Sequence, residues 1–341
     1  MIEFVDISHA AELDAFVAAH PNCHFMQTSA YGRFRSDRVW TGIICRNHSR
    51  EIRGTMAVLQ NTTRRLKTSM LYAPRGPIFE HDDLATFSEL VSGAQQLARD
   101  CGAYMIRLDP MVDAADAAFL HSTEQLGFRR NAATDLSLSQ PRMCYVTDLM
   151  PNGVPFTPET LLAFYSRMKR YDVRRAQRRG VTIRYGSVED VPAFCRMMNE
   201  TAEKRGFAAH SDAFFRRLLT ELGEGARMFV AEKDGEPIAA TITMELGNRM
   251  WHMYGCSDRR YHENCPNELL QYAMQCHALE IGCRWFDFRG VDGYPVEENP
   301  NYGLHHYKQG FGAVFCEYAG EFDLITRPII EKLMRLVQHL G

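Results

Sequence analysis

One lysine stands among three glycines in the segment "GLHHYKQGFG", residues 303–312. Glycine lets a backbone come close to a ligand, and a compact ammonium group can stabilise negative charge that develops during a reaction. This lysine, Lys308, is therefore a candidate catalytic cation in a glycine-rich turn. The alternative is a solvated loop lysine without a chemical role.

Charged residues also stand at the ends of two segments whose apolar residues alternate as in strands. In "YMIRLDP", Arg107 and Asp109 share one face of the strand, and in "WFDFRGV", Asp287 and Arg289 do the same. Asp109 is therefore a candidate polar group at a strand end, and the alternative is a buried bridge between Asp109 and Arg107. A buried bridge is also the expected role of the second pair.

Two further segments offer polar groups near turns. Arg75 lies in "LYAPRGPIF" between two prolines, where a rigid loop can aim a guanidinium group or simply form a structural turn. Tyr254 lies in "HMYGCSDRRY", just before a turn. Both side chains are candidates for substrate binding.

The elements that would position these groups occur twice along the chain. The segment "LARDCGAYMIRLD" is similar to "ALEIGCRWFDFRG", about 180 residues later, and each contains a helix end, a glycine and an alternating strand. We therefore predict an α/β fold with two similar domains of mixed sheets and packed helices. The first domain spans residues 1–148 and is completed by 318–341, and the second spans 149–317.

The composition restricts the class of protein. The chain has 341 residues, of which 45% are hydrophobic and 24% charged, with a net charge of -3, as in a soluble two-domain protein. Its ten cysteines include no C-x-x-C pair, which favours a reducing compartment.

Because the start lacks a signal segment and no apolar run could span a bilayer, we expect a cytoplasmic protein. No metal or nucleotide motif occurs, so we expect no metal site and no cofactor.

Arginines gather on one predicted helix. Thr157 is a favourable N-cap and Gly180 suits the position after the last turn, so we predict one helix between them. Only one acidic residue, Asp172, accompanies the eight Lys and Arg residues between positions 165 and 188. Three arginines repeat every four residues and share one face: Arg170, Arg174 and Arg178. This face either binds the phosphates of a polyanion such as RNA or is solvated.

Segments along nearly the whole chain together resemble the Fem-type (FemABX) peptidyltransferases. In order, they include "FMQTSAYGRF", "LYAPRGPIF", "IRLDP", "RRAQRRGV", "ETAEKRGF", "MYGCSDRRY", "GLHHYKQGFG" and "EYAGEFD". The resemblance implies two acetyltransferase-like (GNAT-like) domains. It also implies transfer of an amino acid from aminoacyl-tRNA to the side-chain amine of a peptidoglycan precursor. The chain lacks the long helical arm of some members and resembles the compact ones.

The resemblance also implies the partners. The acceptor would be a UDP-linked or lipid-linked muramyl pentapeptide, with transient contact at the inner surface of the membrane. Aminoacyl-tRNA would be the co-substrate, and the product would extend the interpeptide bridge of the cell wall.

The resemblance assigns roles to individual residues. Lys308 would stabilise the oxyanion or the tRNA terminus, and Asp109 would hold the attacking ammonium group. Arg35 and His210 would bind the diphosphate of a nucleotide-linked precursor, although the family usually has a lysine and an arginine at these positions. Other substrate contacts would come from Arg75, Tyr254 and Tyr307, and tRNA contacts from Arg170, Arg174 and Arg178.

Two other functions fit some of the same residues. An acyl-CoA N-acyltransferase shares the domain fold, but its pyrophosphate loop is matched only weakly by "QRRGVT", residues 177–182. A non-catalytic RNA-binding protein would use the arginine-rich helix, but it would not need a carboxylate such as Asp109 in a cleft.

Overall fold

The computed structural model describes residues 1–63, 68–206 and 208–339. The chain divides into two units, the first made of Met1–Met143 with Glu317–Gly341 and the second of Cys144–Cys316. The sequence placed the domain boundary a few residues later, after residue 148. Residues 340 and 341, which the prediction included in the first domain, lie outside the described residues.

The first unit is a mixed α/β layer. Its strands and helices, numbered in chain order, are β1 (Ile2–Val5), α1 (Ala11–Ala19), α2 (Ser29–Phe34), β2 (Val39–Arg46), β3 (Ile52–Thr63), β4 (Thr68–Ala73), β5 (Ile78–Phe79), α3 (Leu84–Cys101), β6 (Ala103–Leu108), α4 (Ala117–Gln125), β7 (Arg129–Asn131), β15 (Glu321–Ile325) and α11 (Pro328–His339). The sheet order is β1-β2-β3-β4-β6-β15-β7, with β5 beside β3.

Helix α3 connects the only parallel pair among the described strands of this sheet. It begins at the N-cap Asp83, whose carboxylate accepts from the Thr86 amide, and it ends at Gly102, which has a positive φ of 66°. Its apolar face packs on the sheet through Phe87, Leu90, Val91, Ala94 and Ala98. Strand β6 then runs parallel to β4, with Tyr72 opposite Arg107 and Ala73 opposite Leu108. Both strands therefore end at the same edge of the sheet, where residues 75 and 109 follow.

The chain returns to the first unit at its carboxyl end. Strand β15 pairs antiparallel with β6. On α11, Ile330 and Met334 pack against Tyr104 and Met105. Two apolar side chains of this helix thus form a small cluster on the sheet of the first unit, whereas Ile329, Leu333 and Leu336 are exposed.

The second unit repeats this plan. Its elements are β8 (Met143–Asp148), α5 (Pro158–Phe164), α6 (Arg167–Arg178), β9 (Thr182–Gly186), α7 (Val191–Arg205), α8 (Asp212–Leu222), β10 (Ala226–Lys233), β11 (Glu236–Leu246), β12 (Arg249–Ser257), α9 (Pro266–Glu280), β13 (Trp285–Gly290), α10 (Tyr302–Gln309) and β14 (Val314–Glu317). The sheet order is β14-β8-β13-β12-β11-β10-β9.

The order of elements around the parallel pair is the same in the two units. In the first, the antiparallel pair β3–β4 leads through α3 to β6, parallel to β4. In the second, the antiparallel pair β11–β12 leads through α9 to β13, parallel to β12. The two sequence segments that are similar to each other fall on α3–β6 and on α9–β13.

The predicted arginine-rich helix is two helices, not one. Helix α5 ends at Phe164, and α6 begins at Arg167 with Ser166 as its N-cap. Tyr165 is extended, with ψ of 157°, and the Ser166 amide donates to the carbonyl of Gly310 at 2.8 Å. The sequence prediction was wrong here because it read a favourable start and a favourable end without the cap between them.

We expect loss of this cap to weaken the fold. In Ser166→Ala the Lys169 amide loses the Ser166 oxygen that now accepts its hydrogen bond, so the variant should be less stable by about 0.5–2 kcal/mol. Ser166→Asn is the matched control, since asparagine also caps helices well. Denaturant midpoints should fall for the alanine variant only; equal midpoints for both would show that the break between α5 and α6 does not depend on this cap.

Candidate functional site

A cavity of about 690 Å³ lies in the second unit. Its walls come from β12, β13, α9 and α10, and its polar lining includes His252, Glu268, Gln271, Tyr307 and Lys308. A volume of this size is typical of sites that bind small molecules or cofactors. The parallel strands β12 and β13 form one wall, so the cavity lies beside the strand end that the repeated plan creates.

Lys308 is in a helix, which corrects the prediction of an open turn. It lies on α10 with only 6% of its surface exposed. Its ammonium group donates to the carbonyls of Phe288, Arg289 and Gly290 at 2.8, 2.9 and 2.7 Å. Gly310 caps the end of α10 with a helical φ of -60°. Of the three glycines in this segment, only Gly312 has a positive φ. The lysine therefore joins α10 to the end of β13 and places a buried positive charge at the cavity wall.

His252 is a neutral group in the same cavity. Burial and the nearby charge of Lys308 lower the pKa of His252 to about 4. Its Nδ1 lies 3.0 Å from the Nε2 atom of Gln271. At neutral pH the ring thus offers hydrogen bonding without adding a second positive charge beside Lys308.

A second buried lysine ties the arginine-rich helix to this cavity. Lys169 of α6 contacts Glu268 of α9 at 2.8 Å, and its ammonium group lies 4.1 Å from the ring centre of Tyr307. Tyr307, a predicted substrate contact, belongs to the cavity wall beside Lys308. Helix α6 is consequently held against α9 and α10 by an ion pair and a cation–π contact.

Asp109 occupies a buried polar site in the first unit. It follows the end of β6 and is 2% exposed. One carboxylate oxygen accepts from the Tyr72 hydroxyl at 2.6 Å, and the other accepts from the Arg75 amide at 2.5 Å. Burial raises the pKa of Asp109 to about 6, against the lowering effects of the Arg75 charge and the Tyr72 hydrogen bond. A carboxylate with this pKa suits proton transfer near neutral pH.

Arg75 shapes the loop beside Asp109. Its φ of 57° is in the left-handed region, which is costly for a residue with a Cβ. Its guanidinium group donates to the carbonyl of Pro141 at 2.6 Å and lies 5.2 Å from the ring centre of Tyr318. These contacts are those of a structural turn, and substrate binding by Arg75 stays a prediction.

The expected bridges between neighbouring acidic and basic residues do not form. Arg107 pairs with Asp323 at 2.8 Å and with Glu321 at 3.0 Å, not with Asp109. Asp287 lies 3.6 Å from Arg249 and accepts a hydrogen bond from the backbone amide of Arg289. The alternation in the sequence placed each pair correctly along its strand, but the partners come from neighbouring strands.

Arg35 and His210, the predicted diphosphate contacts, have other neighbours. Arg35, in the first unit, donates to both carboxylate oxygens of Asp37 at 3.1 and 3.3 Å. His210, in the second unit, stacks on Phe214 with ring centres 3.8 Å apart and meets the edge of Tyr254 at 6.0 Å. The structure therefore places His210 and Tyr254 in one aromatic cluster. Phe207, from the segment "ETAEKRGF", lies outside the described residues.

Two of the three predicted tRNA-binding arginines are exposed. Arg174 and Arg178 lie on the outer face of α6, and Arg178 is 5.6 Å from the ring centre of Tyr171. Arg170 instead donates to the carbonyls of Ala163 and Tyr165 at 2.9 and 2.5 Å. Its guanidinium group satisfies the end of α5, so the helix break diverts it from the shared face.

Sequence reasoning missed three residues of these sites: Tyr72, His252 and Lys169. The alternation of "SMLYAP" carried a signal for Tyr72, because it places this residue on a strand just before the Arg75 loop. No signal in the sequence pointed to Lys169, since a lysine in an arginine-rich run is normally solvated. The only signal for His252 was its position on a predicted strand.

The profile of the FemAB family matches residues 9–236, more than half of the chain. The chain belongs to the FemAB family. A profile described as an acetyltransferase (GNAT) domain matches residues 166–309, in the second unit. The predicted family and the predicted α/β, GNAT-like fold class are thereby confirmed.

Relatives of this FemAB protein extend over nearly its whole length. The lipid II:glycine glycyltransferase of Staphylococcus epidermidis is 24% identical and aligns with 95% of this chain and 93% of its own. That of Staphylococcus aureus is also 24% identical, with 96% and 94% aligned.

Solved structures share the fold. The crystal structure of FemX has a TM-score of 0.88 at 23% identity, covering 97% of this chain and 99% of its own. A tandem GNAT protein from the clavulanic acid biosynthesis pathway has a TM-score of 0.54 at 14% identity, covering 95% and 98%. Within the described residues, no helix has both the length and the apolar character needed to cross a bilayer.

The loop beside Asp109 leads to a prediction about Gly76. A Cβ added to Gly76 would lie 2.4 Å from the Gln27 amide group, which donates to the carbonyls of Ala57 and Pro74. Gly76→Ala should displace this amide and cost about 1–3 kcal/mol for each buried polar group left without a partner. The control is Gly303→Ala, whose added Cβ meets nothing within 4 Å. Equal thermal stability of the two variants would contradict this tight packing.

Proposed function

We propose that this chain transfers an aminoacyl group from aminoacyl-tRNA to the side-chain amine of a peptidoglycan precursor. The observation that carries the proposal is the cavity of the second unit, which has a buried cation, Lys308, in its wall. The names of the relatives support a lipid-linked precursor as the acceptor. Such a reaction takes place at the inner surface of the membrane, and the protein acts there from the cytoplasm.

The proposed reaction is aminolysis of an ester. The neutral amine of the acceptor attacks the aminoacyl carbonyl, so a C–N bond forms and the C–O bond to the tRNA breaks. The amine loses one proton, and the departing ribose oxygen gains one. Because an amine is already a good nucleophile, the enzyme needs only to position it, accept a proton and stabilise the oxyanion.

In this proposal Lys308 stabilises the oxyanion. Its charge is held in place by the three carbonyls, so little reorganisation is needed when negative charge develops. The lowered pKa of His252 keeps that ring neutral. A developing oxyanion would therefore meet the fixed charge of Lys308, and His252 beside it would add a neutral hydrogen-bonding group.

Asp109 is the proposed proton acceptor. Its pKa of about 6 leaves it ionised at neutral pH but able to take a proton from an ammonium group held against it. Asp109 belongs to the first unit and Lys308 to the second. The proposal assigns each of them one step of the reaction.

The exposed face of α6 is proposed to bind tRNA phosphates through Arg174 and Arg178. Through Lys169, the same helix contacts Glu268 and Tyr307 in the cavity wall. Phosphate binding on one side of α6 would thus place the acceptor end of a tRNA near the cavity.

The acyl-CoA alternative finds less support. The segment "QRRGVT" runs from the end of α6 to the edge strand β9, and Gly180 has a φ of 78° in the turn between them. No helix begins there to direct backbone amides at a pyrophosphate.

A transfer assay tests the proposed function. The protein would be incubated with total tRNA charged with a mixture of amino acids, and with either lipid II or the UDP-linked pentapeptide, and the muropeptides weighed by mass spectrometry. The proposal expects the mass of one amino acid to be added only when charged tRNA is present. Addition of an acetyl group from acetyl-CoA, with no transfer from tRNA, would overturn it, and binding of tRNA without any product would favour an RNA-binding protein.

Removal of the Lys308 charge should slow transfer strongly. Lys308→Met keeps most of the side-chain volume but loses the cation, so kcat should fall by about 100- to 1000-fold, as when an oxyanion-hole donor is lost. The variant should also be less stable, because three buried carbonyls lose their donor. Melting curves and rates per folded protein separate the two effects. Near-normal turnover of the folded variant would exclude the catalytic role.

Charge reversal on α6 should weaken tRNA binding. Arg174→Glu with Arg178→Glu should lower the affinity for tRNA and reduce the slope of log affinity against log salt by about 1–2, since each lost phosphate contact removes about one released counterion. The matched control is Arg99→Glu with Arg129→Glu, which changes the net charge equally at exposed positions of the first unit. The same loss in both double variants would show an effect of net charge rather than of this helix.

A further inference from the structure

Tyr72 stands at the end of β4, opposite Arg107 of β6. Its hydroxyl group donates to the Oδ2 atom of Asp109 at 2.6 Å. Burial and the neighbouring Asp109 charge raise the pKa of Tyr72 well above its usual value of 10. The phenol is therefore protonated throughout the physiological range and is a permanent hydrogen-bond donor to the carboxylate.

The Asp109 carboxylate is held from two sides and is not saturated. Tyr72 occupies one oxygen and the Arg75 amide the other, each with a single hydrogen bond. A carboxylate accepts about four hydrogen bonds, so the two hydrogen bonds from Tyr72 and Arg75 leave each oxygen able to accept another. The two donors come from β4 and from the loop that follows it, which fixes the orientation of the carboxylate.

The other charged groups near Asp109 are engaged with different partners. The Arg75 charge favours the ionised form of Asp109, and Glu321 opposes it. Glu321 is itself paired with Arg107 at 3.0 Å, and Arg107 also pairs with Asp323. Among the described side chains near Asp109, the Tyr72 hydroxyl donates directly to a carboxylate oxygen, whereas the Arg75 guanidinium group donates to the backbone carbonyl of Asp109.

We infer that Tyr72 is a positioning residue for the proposed reaction: its hydroxyl orients the Asp109 carboxylate and keeps it ionised, ready to accept the proton of the attacking ammonium group. This inference rests on the proposed function and deepens it. Tyr72 itself neither gains nor loses a proton in the reaction.

The inference leads to a specific pH dependence. A proton acceptor works only when it is deprotonated, so the rate should fall as the pH drops through the pKa of Asp109, which is about 6. Tyr72→Phe removes a hydrogen bond that stabilises the charged form, so it should raise the pKa of Asp109 further and move this acid limb to higher pH. At a pH well above the limb the variant should approach normal activity, because Asp109 is then ionised in both proteins.

The test is the pH profile of kcat/KM between about pH 5 and 9 for the wild type and Tyr72→Phe. We expect the midpoint of the acid limb to rise by about one unit, so that the variant is about fivefold slower near pH 6 and within about threefold near pH 8.5. The matched control is Tyr104→Phe, which removes the hydroxyl of another buried tyrosine on β6 of the same sheet. Its acid limb should stay in place.

Two results would overturn the inference, and they can be told apart from a failure of the proposed chemistry. If Asp109→Asn is inactive but Tyr72→Phe leaves the limb unmoved, or lowers the rate equally at every pH, then Tyr72 is only a packing residue. If Asp109→Asn retains full activity, the carboxylate is not the proton acceptor, and the inference fails together with that part of the proposal. A carbon-13 NMR titration of the Asp109 carboxyl group checks the shift without relying on turnover.

Discussion

Burial of an ionised group at the end of a central strand is the constraint on which both sites depend. A charge removed from water is very costly unless polar groups of the protein replace its hydration. At the end of β13 three carbonyls surround the Lys308 ammonium group. After β6 an amide and a phenol hold the Asp109 carboxylate. The two strands belong to the segments that are similar in sequence, so corresponding places in the two units hold opposite charges.

The backbone beside these two buried charges explains how one plan serves both signs of charge. Arg289 and Arg75 have φ values of 62° and 57°, in a region that residues with a Cβ seldom adopt. The turn at Arg289 directs a carbonyl at Lys308, and the turn at Arg75 directs an amide at Asp109. The cost of each unfavourable conformation is offset by the charge-assisted hydrogen bond that it makes. Each turn thus supplies the type of backbone group that its buried charge requires.

The sequence predicted the features that depend on local pattern. The repeated helix–glycine–strand segment gave the order of elements around both parallel pairs, and strand alternation placed Asp109 directly after β6. The helix break at Ser166 and the helical position of Lys308 were missed, because both depend on contacts with distant parts of the chain, the Gly310 carbonyl and the end of β13. For the same reason alternation paired Asp109 with Arg107, whereas the partners of both residues come from other strands or from the loop after β4.

We propose that the cavity beside Lys308 takes the aminoacyl end of the donor. The most direct measurement is calorimetric binding of a stable amide analogue of 3′-aminoacyl-adenosine to the wild-type protein and to Lys308→Met, with Lys332→Met as a control at an exposed position. We expect binding to Lys308→Met to be weaker by about tenfold or more, because the fixed positive charge beside the ligand is lost, while the control should bind normally. Equal affinity for all three proteins would contradict the claim.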